Sequence, residues 1–331
     1  MKLSYLDLYT TDPTFNLAAE QYVFDSLPRD RMYFMLWQND NAIIIGKYQN
    51  TQAEVNAAYV QEHGIQVVRR LSGGGAVYHD MGNLNFTFIA DVGNIETIDM
   101  HLFCEPIVRT LRDIGVEAVI NGRNDITIDG QKFSGNSQYI RQGRVMHHGT
   151  IMFDSDLSII GQALQVDETK IQAKGIKSVR SRVTTVRSHL SQDIDLPQFR
   201  QILLQHILDE NPGEEYKFTP EDLEGIRKLQ QERYSQWDWN YGFSPECTMK
   251  KRQRIEGCGL VEAYIVADKG KITALTFRGD YFSTEDPQAL ADRFIGCRVR
   301  REEYEALLEG VDVSRYFSGL SNAQLVELLD S

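Results

Sequence analysis

The chain has 331 residues, 42% of them hydrophobic and 25% charged, with a formal net charge of −12. That length accommodates one large and one small domain with a substantial core, and the composition is that of an ordinary soluble globular protein. The acidic balance argues against a general nucleic-acid binder, which needs an excess of cations to hold a phosphate backbone.

No apolar run approaches the roughly 18 residues that span a bilayer. The opening "MKLSYLDLYTTDP" lacks a signal-peptide pattern, so a cytoplasmic protein without membrane association is expected. Cys104, Cys247, Cys258 and Cys297 are scattered without a C-x-x-C pair, which argues against a disulfide framework and a zinc site.

In chain order, "LSYLDLY" reads as a strand, and Phe15 to Leu27 reads as an amphipathic helix following Asp12-Pro13. "MYFMLWQ" and "NAIIIGKY" have the apolar runs of buried strands, and "AEVNAAYVQEH" reads as one helix. "IQVVRR" is a strand entering a triple glycine, and "LNFTFIA" a strand leaving it. "DMHLFCEPIVRTLRDIG" is helical in pattern, with Pro106 inside it. Asp129-Gly130 marks a type I′ hairpin, and a second hairpin is expected at Gln142-Gly143. Two helices are expected at "PQFRQILLQHIL" and "PEDLEGIRKLQQERY".

Gly242 and Pro245 punctuate an aromatic stretch, placing a domain boundary near residue 245. The expected domains are 1–245 and 246–331. In the second, a basic run "KKRQR" (Lys250 to Arg254) reads as a solvated strand edge, a hairpin turns at Lys269-Gly270, and three helices follow. Mixed strands and helices with several hairpins give an α+β class with a mostly antiparallel sheet, plus a small α+β C-terminal domain.

Four features could carry chemistry. The first is "RRLSGGGAVYHD", from Arg69 to Asp80. It lacks the Walker lysine and the G-x-G-x-x-G pattern, yet three glycines between strands can bring backbone N–H groups onto an anion. Arg70 offers a phosphate-matching fork; the alternative is a flexible connection with solvated arginines. The second is Lys132 after the hairpin turn, where alternation expects Lys132, Ser134 and Asn136 on one face, interrupted by Gly135.

Third, "HHGT" should send His147 and His148 to opposite faces. Asn124 and Asp125 ahead of the hairpin could hold magnesium, or could be ordinary turn residues. Fourth, Lys174, Lys177, Arg180 and Arg182 form a cationic run that could cover phosphates or be a solvated loop.

Taken together, "FNLAAEQYVF", "LWQNDNAIIIGKYQN", "RRLSGGGAVYHDMGNLNFTF", "GRNDITIDGQKFSGNSQY", "HHGTIMFDSDLS", "KGIKSVRSRVT" and "WDWNYG" resemble the bacterial lipoate–protein ligases of the biotin/lipoate ligase superfamily, in the two-domain form. The resemblance runs nearly end to end. It implies ATP- and Mg2+-dependent activation of lipoate to lipoyl-AMP, then transfer to a lysine of apo lipoyl domains of 2-oxoacid dehydrogenase E2 subunits or of glycine cleavage H protein. Neither a nucleic-acid partner nor a tightly bound cofactor is implied, and a monomer is expected.

By resemblance, Lys132 is the catalytic residue. The nucleotide would meet Arg70, Gly74, Gly75, Ala76, Val77, Tyr78, Asn83, Asn124, Asp125, Ser178 and Arg180, with Asp125 also holding magnesium. Lipoate would meet Leu17, Arg70, Ser72, His79, Lys132, His148, Gly149 and Thr150. Octanoyltransferases and lipoyl amidotransferases of the same fold use a cysteine nucleophile, whereas here no cysteine lies between Cys104 and Cys247. An ATP-independent acyl transferase and a non-catalytic lipoate-binding regulator are the alternatives.

Overall fold

A computed structural model describes residues 2–92, 101–122, 124–164, 182–244, 247–279, 281 and 283–331. Asp12 starts the first helix, α1 (Pro13–Ser26), by accepting hydrogen bonds from the Thr14 and Phe15 N–H groups, with Pro13 pre-set in the first turn. Leu17 and Glu20 on it are buried. The expected helix from Ala53 to His63 is instead two short ones, α2 (Thr51–Glu54) and α3 (Ala57–Glu62). The break falls at Asn56, whose side chain accepts from the Tyr59 N–H and so starts a new helix.

An eight-stranded mixed sheet forms the centre of the larger of two compact units. Its strands are β1 (Lys2–Asp7), β2 (Arg31–Trp37), β6 (Asn83–Asp91), β7 (Ala118–Asn121), β8 (Asp125–Ile128), β9 (Gln131–Arg141), β10 (Arg144–Met152) and β11 (Gly213–Glu215), in the order β11-β1-β2-β6-β10-β9-β8-β7. The β11–β1 and β1–β2 pairs are parallel, and every other neighbour is antiparallel. Both expected hairpins form, with Asp129 and Gly130 at φ 51° and 77° and Gln142 and Gly143 at 51° and 76°. Positive φ at both central residues is what a type I′ turn requires.

Helices α4 (His101–Asp113) and α6 (Leu196–Glu210) cover one face of this sheet, through Ile107, Val108, Leu111, Phe199, Leu203 and Ile207. Pro106 lies inside α4, and the helix continues through it. A three-stranded sheet, β4-β3-β5, is built from β3 (Ala42–Ile45), β4 (Gln66–Arg69) and β5 (Val77–His79). Helix α1 packs against both β4 and β6, helix α5 is Leu157–Ala163, and α7 is Pro220–Leu229.

The second compact unit comprises residues 48–64, 163–165 and 237–331. It holds an antiparallel sheet of β12 (Cys247–Ile255), β13 (Gly259–Asp268) and β14 (Lys271–Gly279), with β12 at an edge as "KKRQR" led us to expect. Helices α8 (Pro287–Ala291), α9 (Arg301–Leu307) and α10 (Asn322–Asp330) enclose its core around Val261, Ile265, Phe294 and Phe317. Among the described residues no helix is long and apolar enough to cross a membrane.

Candidate active site

The triple-glycine loop joins β4 to β5, and two buried arginines fix it from below. Arg69 Nη1 donates to the Gly46 and Lys47 carbonyls at 2.9 and 3.0 Å. Arg70 makes four bonds: Nε to Ser72 Oγ at 3.0 Å, Nη1 to the Ile44 carbonyl at 3.1 Å, and Nη2 to the Gly73 and Gly75 carbonyls at 2.6 and 2.9 Å. Burial pushes both guanidinium groups down to about 10, so each is still charged at neutral pH.

Arg70 thus clamps the loop as well as lining the cavity beside it, a task that sequence reasoning did not foresee. Gly74, at φ +94°, is the glycine the geometry demands, because a β-carbon there would also lie 2.9 Å from Arg70 Nη2. With the Gly73 and Gly75 carbonyls turned onto Arg70, planar trans peptides send the Gly74 and Ala76 N–H groups the opposite way.

The second wall is the β8–β9 hairpin. Register shifts at its start, where Ile126 pairs with Ser134 but Thr127 pairs with Lys132. The extra residue breaks the alternation. Contrary to the expected grouping of Lys132, Ser134 and Asn136, the Asn136 side chain bonds Ser134 Oγ and lies 3.3 Å from His147 Nε2. Lys132 instead shares the face of Gly135 and of Ser137, whose Oγ donates to the Gly73 carbonyl at 2.9 Å.

Lys132 Nζ lies 2.7 Å from Asp125 Oδ1, both side chains being about one-third exposed. The Lys132 backbone is held as well: its N–H donates to the Arg182 carbonyl at 2.8 Å, and its carbonyl accepts from the Thr184 N–H at 2.9 Å. Asn124, beside Asp125, exchanges side-chain and backbone bonds with Asn136.

Between these walls lies a narrow, mostly apolar cavity of about 80 Å3. Of the expected residues it gathers Leu17, Arg70, Gly74, Gly75, Val77, Asn124, Lys132, His148, Gly149 and Thr150. Trp37, Ile44, Gly135, Asn136 and Ser137 line it too. Trp37 ends a strand that reads as plain core, and only its indole N–H, bonded to Thr87 Oγ1 at 3.0 Å, hints at a polar neighbourhood.

Beneath the cavity runs a buried polar chain. Ser72 Oγ lies 2.5 Å from His148 Nε2, and His148 Nδ1 lies 2.8 Å from Glu20 Oε1, which also accepts from Thr87 Oγ1 at 2.7 Å.

The two histidines of "HHGT" do face opposite ways. His147 is packed against Phe86 and Phe103 with its Nε2 3.7 Å from Cys104 Sγ, and burial drives its pKa to about 3. Cys104 therefore sits in the core away from the cavity, beside a neutral imidazole.

Several expected residues do not line the cavity. His79 stands behind Trp37 with Nδ1 3.1 Å from the Asn39 amide, and burial pushes its pKa down to about 3. Tyr78 donates its hydroxyl to Asn41, and Asn83 is buried with its amide on Asn85. Ser72 reaches the site through Arg70 and His148, Asp125 through Lys132, and Ala76 as part of the clamped loop. Ser178 and Arg180 lie outside the described residues. Among the described residues no cluster of three or more His, Cys, Asp or Glu could hold a metal, so Asp125 offers a single carboxylate.

The sequence model of the lipoyl protein ligase A/B catalytic domain matches residues 12–208, which hold this whole cavity. The chain belongs to the lipoate–protein ligase family. The model of the bacterial lipoate protein ligase C-terminus matches residues 244–329. The chain is 42% identical over 321 residues to the lipoate-protein ligase LplJ of Bacillus subtilis, covering 96% of this chain and 97% of that one. A bipartite lipoate protein ligase from Thermoplasma acidophilum, studied with its E2 lipoyl domain, superposes with a TM-score of 0.67 at 28% identity, over 73% of this chain and 97% of that one. A lipoate-protein ligase A bound with ATP gives 0.63 at 26%, over 73% of this chain and all of that one.

Proposed function

We propose that this lipoate–protein ligase activates lipoate with ATP and passes the lipoyl group to a lysine of an apo lipoyl domain. The observation that carries this reading is the Lys132 ammonium at the rim of an apolar cavity, facing Asp125 and opposite the clamped glycine loop. An apolar slot ending in a fixed cation suits an aliphatic chain with a carboxylate at its end.

In the first step a lipoate carboxylate oxygen attacks the α-phosphorus, and pyrophosphate leaves. The attack brings anions together, so positioned cations and N–H donors must offset the developing charge. Lys132 supplies the cation, and the N–H groups of Gly74, Ala76 and Val77 with the neighbouring Gly75 and Tyr78 backbone supply the donors.

Asp125 and Asn124 would hold Mg2+ together with phosphate oxygens, since magnesium keeps water and substrate ligands and needs few protein carboxylates. The ion would add neutralising charge. Arg70 keeps the loop in shape, and Leu17, His148, Gly149 and Thr150 border the acyl chain. Ser178 and Arg180 would contact the adenylate.

In the second step the neutral amine of the acceptor lysine attacks the acyl carbon, AMP leaves, and an amide forms. No enzyme nucleophile is needed, in keeping with Cys104 lying in the core. An E2 lipoyl domain is the leading acceptor, because the archaeal relative was studied with one; glycine cleavage H protein is the other. Residues 1–245 would carry both steps and 246–331 an accessory role.

Mixing the protein, lipoate, ATP, Mg2+ and an apo lipoyl domain should add one lipoyl mass to the domain, read by intact-protein mass spectrometry. Transfer that persists without ATP would identify an acyl transferase. Lipoate binding without any transfer would identify a regulator.

A further inference from the structure

The smaller compact unit carries a polar groove of about 320 Å3 to which the ligation chemistry gives no task. Five consecutive residues of β12, Thr248 to Arg252, form one side, and Gln52 and Ala53 of α2 with Ser331 form the rest. A cavity lined by an unbroken run of one strand follows that strand's length, and β12 is the edge of its sheet.

Gln52 is only 9% exposed, yet neither its Oε1 nor its Nε2 has a hydrogen-bond partner. A buried carboxamide needs both a donor and an acceptor opposite it. An inorganic anion could satisfy Nε2 but would repel Oε1. A peptide group presents both.

The charge along β12 narrows the choice. Lys250 and Arg252 alternate onto the outer face and share a single carboxylate, Glu262, at 3.0 and 3.5 Å. Lys251 projects the other way, toward Ser331. An incoming strand therefore meets two cations on the outer face that have one carboxylate between them. A second copy of β12 would bring the same cations and be repelled, which is how lysine-bearing edges resist self-pairing. An acidic strand would be attracted.

We propose that this groove binds an extended acidic segment of a partner protein as an added strand beside β12, with one of its peptide groups on the Gln52 amide and its carboxylates on Lys250 and Arg252. Backbone pairing gives such complexes their affinity, and side chains of alternate direction give selectivity.

The test uses the full chain and a fluorescent peptide of alternating glutamate and threonine, with a lysine–threonine peptide as control. Saturable, salt-weakened binding of the acidic peptide alone is expected, with slowed amide hydrogen exchange along β12. Gln52→Leu should fold at least as well as the parent and bind at least tenfold more weakly, and Arg252→Glu on the exposed face should do the same. The proposal fails if the acidic peptide does not bind, or if Gln52→Leu binds like the parent, which would mean that water alone meets the amide. Displacement of the peptide by inorganic pyrophosphate would equally overturn it in favour of a simple anion site.

Discussion

Lys132 lies folded across Gly135, its Nζ 2.9 Å from the point where a β-carbon on residue 135 would stand. The β-bulge brings the two to one face, and the missing side chain is what leaves the ammonium room to reach Asp125 at 2.7 Å. Gly135→Ala should therefore displace the ammonium while leaving the fold intact, since the clashing atom is the end of a flexible chain. Misplacement of a reacting group by about 1 Å can cost about 100-fold. Lipoyl-adenylate formation should fall by about that factor with an unchanged thermal midpoint.

Removing the cation altogether tests the assignment of Lys132. Lys132→Met keeps the length of the stem and deletes the charge, and loss of one electrostatic stabiliser typically costs about 100- to 1,000-fold in kcat. Lipoyl-AMP formation, followed by pyrophosphate release, should drop by that order. Transfer from preformed lipoyl-AMP should also slow. Unchanged activation would remove Lys132 from the first step.

The three glycines should not be equivalent. Gly74→Ala places a side chain at φ +94° and pushes into Arg70, so it should destabilise the protein by about 1–3 kcal/mol as well as impair ATP use. A β-carbon on Gly75 meets nothing within 4 Å, so Gly75→Ala should keep the parental stability and alter only the apparent KM for ATP. Urea unfolding and ATP titration of the two variants separate these outcomes. Equal loss of stability would show that the loop has a different clamp.

Acid should weaken the fold through two histidines. The pKa values of His79 and His147 are pushed down to about 3 by burial, whereas exposed histidine titrates near 6.5. Between about pH 3 and 6.5 the unfolded chain therefore binds more protons than the native one at these sites, and stability rises with pH across that window. Their contribution is complete above about pH 6.5 and shrinks as pH falls below it. Substituting His147 by glutamine should flatten the pH dependence of the urea midpoint between pH 4.5 and 7, even if the midpoint itself drops.

Much of the site was legible because the cues were local. Asp129-Gly130 specified its turn, and the adjacent histidines had to diverge because strand side chains alternate. What escaped was non-local. The bulge at Phe133, between Lys132 and Ser134, depends on the register with β8, which strand alternation alone cannot report. Trp37 and Ile44 read as core residues, and only the tertiary fold, with α1 packed against a strand of each sheet, brings them to one cavity with Leu17. Arg70 looked like a phosphate fork because its fork is the same whichever oxygens it meets, and here it meets peptide carbonyls.

The two backbone bonds joining Lys132 to Arg182 and Thr184 make those residues neighbours of the Lys132 main chain although they lie about fifty positions along the chain. A thermodynamic cycle pairing Lys132→Met with a substitution at Thr184 should therefore show clear non-additivity, as contacting residues do. Lys132 and the Arg182–Thr184 segment would then count as one energetic unit, so that a change in that segment registers at the lysine side chain without touching it.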